Sequence, residues 1–174
     1  ATPLLGLAVM QIVSRRDKTS YYTSLVGLVV LASFILNLVA VGSMFNATPS
    51  QTIFLAWGAF ALILAYGYGL RLPLAVGLVL LLIYGAATVA VWTGGYWMSF
   101  LVRPETFLAM GIIITAAPFL IRHRKLVDFP GVYYLIGLVA IFLPLWITVH
   151  NCELSYLALS VRVIQWIYRI AGFA

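Results

Sequence analysis

An all-α, polytopic transmembrane bundle is the fold class this sequence predicts, and three observations predict it. Of 174 residues, 64% are hydrophobic and 8% charged, whereas a soluble domain is roughly 45–50% apolar and about 25% charged; too few polar side chains are present to coat a water-facing particle. The apolar residues fall in runs of the length needed to cross about 30 Å of hydrocarbon, which takes roughly 20 helical residues. The connections between runs are short and hold the basic and helix-breaking residues, as between sequential antiparallel helices. The same aliphatic and aromatic content excludes a disordered chain.

The runs justify the elements in order. Thr2 to Val13 is apolar but only 12 residues long. With no basic segment ahead of it, it reads as a partial span over residues 1–13 that begins upstream, and not as a signal peptide. Five full spans follow: Tyr22–Phe45, Gln51–Leu70, Leu72–Trp92, Thr106–Ile121 and Gly131–Val149. The fourth, at 16 residues, is short and requires local thinning of the bilayer. Leu157–Phe173 is different in kind. At about 100° per residue, Arg162, Gln165 and Arg169 fall with Ser155 on a narrow polar stripe of an otherwise apolar helix. That pattern predicts an amphipathic helix lying at the interface in preference to a seventh span, which would hold two arginines at depth. Neither a repeat nor a low-complexity linker divides the chain, so residues 1–174 read as one membrane domain.

Orientation follows from the Lys and Arg residues of the connections. Arg15, Arg16 and Lys18 lie in 14–20, Arg71 in 71–73, and Arg122, Arg124 and Lys125 in 122–130, while of the alternate connections only 94–105 carries a basic residue, Arg103. The odd connections hold seven and the even ones one. The positive-inside rule therefore makes 14–20, 71–73 and 122–130 cytoplasmic and puts His150 and Cys152 on the opposite side. The formal charge of +6 is explained by this role, and no nucleic-acid partner is predicted.

Most chemistries are excluded by missing residues. No Asp, Glu, Lys, Arg or His lies inside any of the five spans, whereas pumps, ion-coupled carriers and voltage sensors place ionisable groups at membrane depth. There is no His-Glu-x-x-His helix, no pair of intramembrane aspartates and no serine nucleophile turn. One cysteine, Cys152, allows neither a disulfide within the chain nor a multi-thiolate metal site. His123 and His150 flank opposite ends of one span and cannot share a metal or haem iron. The expectation is a protein that is not an enzyme and holds no cofactor.

The polar residues that remain have limited uses. Asn37, 15 positions after Tyr22, reads as an interhelical hydrogen-bonding group; with Tyr84, Thr88 and Thr115 it could instead line a polar path. Arg122, Arg124 and Lys125, together with Arg162 and Arg169, suit contact with anionic lipid head groups or an acidic partner. Ala61, Ala65 and Gly69, and again Ala86 and Ala90, form small-residue ridges that permit close helix contact. Pro118 and Pro144 sit inside spans as kinks. Trp92, Tyr96 and Trp97 at one boundary, and Tyr133 and Tyr134 at the other, read as aromatic belts.

The C-terminal third carries a family resemblance. Arg103-Pro104-Glu105, the basic turn 122–125, Ser155-Tyr156-Leu157 and the ending Gln165 to Phe173 resemble the tail of multi-pass bacterial inner-membrane proteins belonging to families of unknown function. The resemblance implies an inner-membrane location and, since such proteins often carry a soluble N-terminal region, a chain that begins mid-protein. It transfers no catalytic or binding residue. The function expected from all of this is a non-catalytic integral membrane subunit that scaffolds, anchors or regulates a complex, with lipids and other membrane subunits, or further copies of itself, as partners. The alternatives are a passive channel or facilitator for a small solute, and an interfacial lipid-acting enzyme using His150, Cys152 and Glu153.

Overall fold

The computed structural model describes residues 4, 7, 8, 11, 12, 21–46, 50–92, 94, 96, 105–120, 129–150, 166 and 170, with side chains at all of these except 21, 105 and 147–150. Five helices hold nearly all of them: α1 (Tyr21–Met44), α2 (Thr52–Tyr68), α3 (Arg71–Trp92), α4 (Glu105–Leu120) and α5 (Phe129–His150). Among the described residues there is no strand, and the chain is all-α. Each helix matches one predicted apolar run to within two residues at either end. The predicted segments 14–20, 122–128 and most of 1–13 and 157–173 lie outside the described residues; Trp166 and Ile170 are helical and exposed.

Length separates the five helices into two groups. Tyr22–Met44 in α1, Arg71–Trp92 in α3 and Phe129–Trp146 in α5 are long and apolar enough to cross a membrane. α2 and α4, with 17 and 16 residues, rise about 25 Å at roughly 1.5 Å per residue and fall short of about 30 Å. Where the runs predict five full spans, the structure has three helices of full length and two shorter apolar ones.

The shortness of α2 has a local cause. Gly69 adopts the left-handed conformation, φ 67° and ψ 36°, and the Leu70 N–H donates to the Ala65 carbonyl at 3.0 Å, closing the helix in a Schellman arrangement. Leu70 then tucks into one apolar cluster with Leu64, the contact that accompanies this motif. α3 begins at the next residue, so Arg71, Leu72 and Pro73 form its first turn and not a connection. Pro73 costs nothing there, because the first N–H groups of a helix have no partner within it. α1 and α3 also end on left-handed residues, Asn46 (φ 51°) and Gly94 (φ 79°).

The chain packs as two units, Ala1–Leu81 with Lys125–Val132, and Leu82–Arg124 with Tyr133–Ala174; α3 and α5 contribute to both. In the first, Val30 and Leu31 of α1 meet Ala61 and Leu64 of α2 and Leu70, and Phe34 stacks on Phe60 with ring centroids 4.1 Å apart. Gly58 and Gly77 bring α2 and α3 together, since a Cβ at Gly77 would lie 3.2 Å from that of Ala61. In the second unit, Ala86, Ala87 and Ala90 of α3 pack with Ile83 against Phe107 of α4. Leu145 of α5 packs with Ile141 against Leu108 of α4. The small-residue ridges thus face other helices: Ala61, Ala65, Ala86 and Ala90 are all fully buried.

Candidate functional site

Three of the four residues expected to form a polar path bond back to their own helices. In α1 the Asn37 side-chain amide donates to the Ser33 carbonyl at 2.7 Å. In α3 the Thr88 hydroxyl donates to the Tyr84 carbonyl, and in α4 the Thr115 hydroxyl to the Gly111 carbonyl, each at 2.8 Å. Each of these bonds spans four residues, the spacing at which a short polar side chain reaches back along its own helix. Asn37 belongs to the first unit and Tyr84, Thr88 and Thr115 to the second. Asn37 is exposed, whereas the other three are half-buried.

Within the second unit, helix contacts are made by apolar and small groups. A Cβ added at Gly85 of α3 would come within 2.5 Å of the Met110 side chain of α4. The tightest approach joins α4 to α5. A Cβ at Gly137 would strike the Thr115 hydroxyl and lie 3.0 Å from the Thr115 nitrogen and 3.2 Å from the Gly111 oxygen. One at Gly111 would meet the Gly137 oxygen at 3.1 Å. Gly111, Thr115 and Gly137 therefore allow two backbones to touch. Gly111 and Thr115 stand four residues apart on α4, a spacing that marks a face for close approach and does not by itself name Gly137 of α5 as the partner. Pro144, inside α5, is fully buried, and Pro118 lies inside α4.

The other sequence-predicted residues divide between surface, core and undescribed regions. Arg122, Arg124, Lys125, Arg162 and Arg169 lie outside the described residues, as do Cys152, Glu153 and the His150 side chain. Arg71 is the one charged side chain described, and it is exposed. Among the described residues no group of three or more His, Cys, Asp or Glu could hold a metal ion. Trp92 and Tyr96 are 81% and 66% exposed, in keeping with a belt. Tyr133 is buried, and of that predicted pair only Tyr134 reaches the surface, where its ring meets Phe119 at 6.0 Å. One polar atom was not foreseen: the buried indole N–H of Trp57, on α2 beside Phe54, has no hydrogen-bond acceptor. Comparison with protein-family models, curated proteins and solved structures returned no match.

Proposed function

We propose that this chain is a non-catalytic integral membrane subunit that anchors or regulates a complex through its helix faces and connections. One observation supports the reading: Asn37, Ser43, Thr88 and Thr115, on three different helices, each donate to a carbonyl three or four residues earlier in their own helix. Groups used in this way are engaged within their own helix and give a solute no converging set of ligands. The surfaces they leave are apolar, as a protein that works by lateral contact in a bilayer requires.

In this reading all five helices cross. α2 and α4 are short, but Ile63 and Ile112 turn 68% and 60% of their surface outward, which suits lipid, and a modest local thinning accommodates the missing few ångströms. The segments 14–20 and 122–130 and the first turn of α3 at 71–73 are cytoplasmic, and the membrane is the bacterial inner membrane. Arg122, Arg124, Lys125, Arg162 and Arg169 contact anionic head groups or an acidic partner at the two surfaces.

Gentle detergent extraction followed by identification of co-purifying proteins tests the proposal. The expected result is a distinct membrane protein recovered with this chain, and no solute flux when the chain is reconstituted alone in liposomes. A chain that runs free of other proteins and conducts a small solute would overturn it.

A further inference from the structure

The contact between α2 and α3 recurs, position for position, between α4 and α5. In the first unit a Cβ at Gly58 of α2 would lie 3.1 Å from the Leu81 side chain and 3.3 Å from the Gly77 oxygen. In the second, one at Gly111 of α4 would lie 2.8 Å from the Ile141 side chain and 3.1 Å from the Gly137 oxygen. A Cβ at Gly77 meets Leu62, and one at Gly137 meets Thr115; each is four residues beyond the glycine opposite. Once two helices cross at a glycine, geometry ties these further contacts to the first. It does not tie the sequence. Yet Phe54-Leu55-Ala56-Trp57-Gly58 and Phe107-Leu108-Ala109-Met110-Gly111 differ at only one position, and both begin at the third residue of their helix. On the second helices Gly77-Leu78-Val79 and Gly137-Leu138-Val139 are identical. The sequence reads as free of repeats because no single offset aligns it with itself: the shift is 53 residues on the first helices and 60 on the second.

We propose that α2–α3 and α4–α5 are two copies of one helical-hairpin module, arisen by tandem duplication and inserted in the membrane in the same sense. Each copy is clamped where the glycine of Phe-Leu-Ala-x-Gly meets the carbonyl of Gly-Leu-Val, the close backbone approach on which helix contacts in lipid depend. The sense of insertion rests on the reading that all five helices cross, since a duplicated pair of crossings leaves the next pair pointing the same way; the clamp does not rest on it. What the copies do not share is where their roles part. Two residues join α2 to α3, and eight join α4 to α5, the eight holding Arg122, Arg124 and Lys125. A module that closes on Gly69 and Leu70 needs no basic run to close it, which leaves that run to the surface contact proposed above.

Intramolecular disulfide trapping in native membranes tests this with the full chain in a Cys152→Ser background. Gly58→Cys with Leu81→Cys, and Gly111→Cys with Ile141→Cys, place two thiols where the shortened neighbour makes room for them, and both pairs are expected to lose their free thiols on mild oxidation. Gly58→Cys with Val79→Cys and Gly111→Cys with Val139→Cys, whose second positions are 40% and 50% exposed, should keep them. Ile53→Thr, Trp57→Met and Ala59→Ile together make 53–59 identical to 106–112, and the first pair should still trap in that background, as interchangeable copies require. Trapping in one hairpin alone, equal thiol loss at the control pairs, or loss of trapping after the exchange would each overturn the proposal. Thermal unfolding asks the same question without cysteines. The fall in unfolding temperature caused by Gly58→Ala should shrink in the presence of Leu81→Ala, and that caused by Gly111→Ala in the presence of Ile141→Ala; simple additivity at either site would count against a shared clamp. Thr52→Cys and Glu105→Cys, at the first residues of α2 and α4, separate the two parts of the inference. Labelling of both from outside intact cells establishes the common sense. Labelling of Thr52→Cys alone would mean that the five-crossing reading has failed and same-sense insertion with it, while the traps still judge the module.

Discussion

Two glycines with the same apparent role differ in what surrounds them. At Gly137 an added methyl group meets the Thr115 nitrogen and the Gly111 carbonyl, backbone atoms that cannot step aside without moving α4. At Gly85 it meets Cε, Sδ and Cγ of Met110, the side chain alone and no backbone atom, and that side chain is unbranched with several rotamers to choose from. Gly137→Ala is therefore expected to cost about 1–3 kcal/mol, as overpacking does, while Gly85→Ala changes stability by less than about 1 kcal/mol because Met110 repacks and alanine favours the helix. Thermal unfolding of the two variants in the same detergent checks the contrast; equal losses would mean that Met110 is as confined as a backbone. Trp57 supplies a second case. A buried N–H without an acceptor carries a desolvation cost of about 1–3 kcal/mol, so Trp57→Phe, which removes that donor and keeps an aromatic ring, is expected to leave stability unchanged or raise it, where an ordinary large-to-small core change lowers it. A marked loss of stability in the same assay would show that the indole N–H has an acceptor in the folded protein.

The ends of the elements follow from local rules, and the runs placed them to within two residues, although Gly69 read as part of a packing ridge and not as a stop. Apolar runs set the helix bodies, and Asn46, Gly69 and Gly94 stop α1, α2 and α3 because a left-handed residue turns the chain off the helix axis. Gly69→Ala forces a Cβ into that conformation and is expected to cost about 1–2 kcal/mol, read again as a fall in unfolding temperature, without changing the α1 to α2 contact at Phe34 and Phe60. What the sequence left unread is which faces meet. A glycine in a membrane helix looks the same whether it faces lipid or another backbone, so Gly111, Thr115 and Gly137 could be found only by knowing that α4 lies against α5. Tyr133 fails for the same reason: its position near a helix start suits an interfacial anchor, but the turn of α5 carries it into the core. The polar residues were legible as residues and not as a set. Their i to i−4 bonds depend on side-chain rotamers, which spacing alone does not choose.

At the scale of the whole molecule, the number of crossings is what charge counting leaves open. If all five helices cross, the basic residues divide seven to one, with Arg103 alone on the far side. If only the three full-length helices cross, the turn holding Arg71 moves outward and the connection holding Arg103 moves inward, and the division is seven to one again. The positive-inside rule assigns 14–20 and 122–130 to the cytoplasm and Cys152 to the outside in both arrangements, so labelling that cysteine tests orientation without fixing the count. Residue 96 separates the two cases. With five crossings Tyr96, exposed beyond the end of α3, faces outward; with three it faces the cytoplasm. In a Cys152→Ser background, a membrane-impermeant maleimide applied to intact cells is expected to label Tyr96→Cys as readily as Asn46→Cys, which is outside in either arrangement. Labelling of Asn46→Cys alone, with Tyr96→Cys reacting only after permeabilisation, would mean that α2 and α4 enter the membrane without crossing it, the outcome their lengths of 17 and 16 residues make worth measuring.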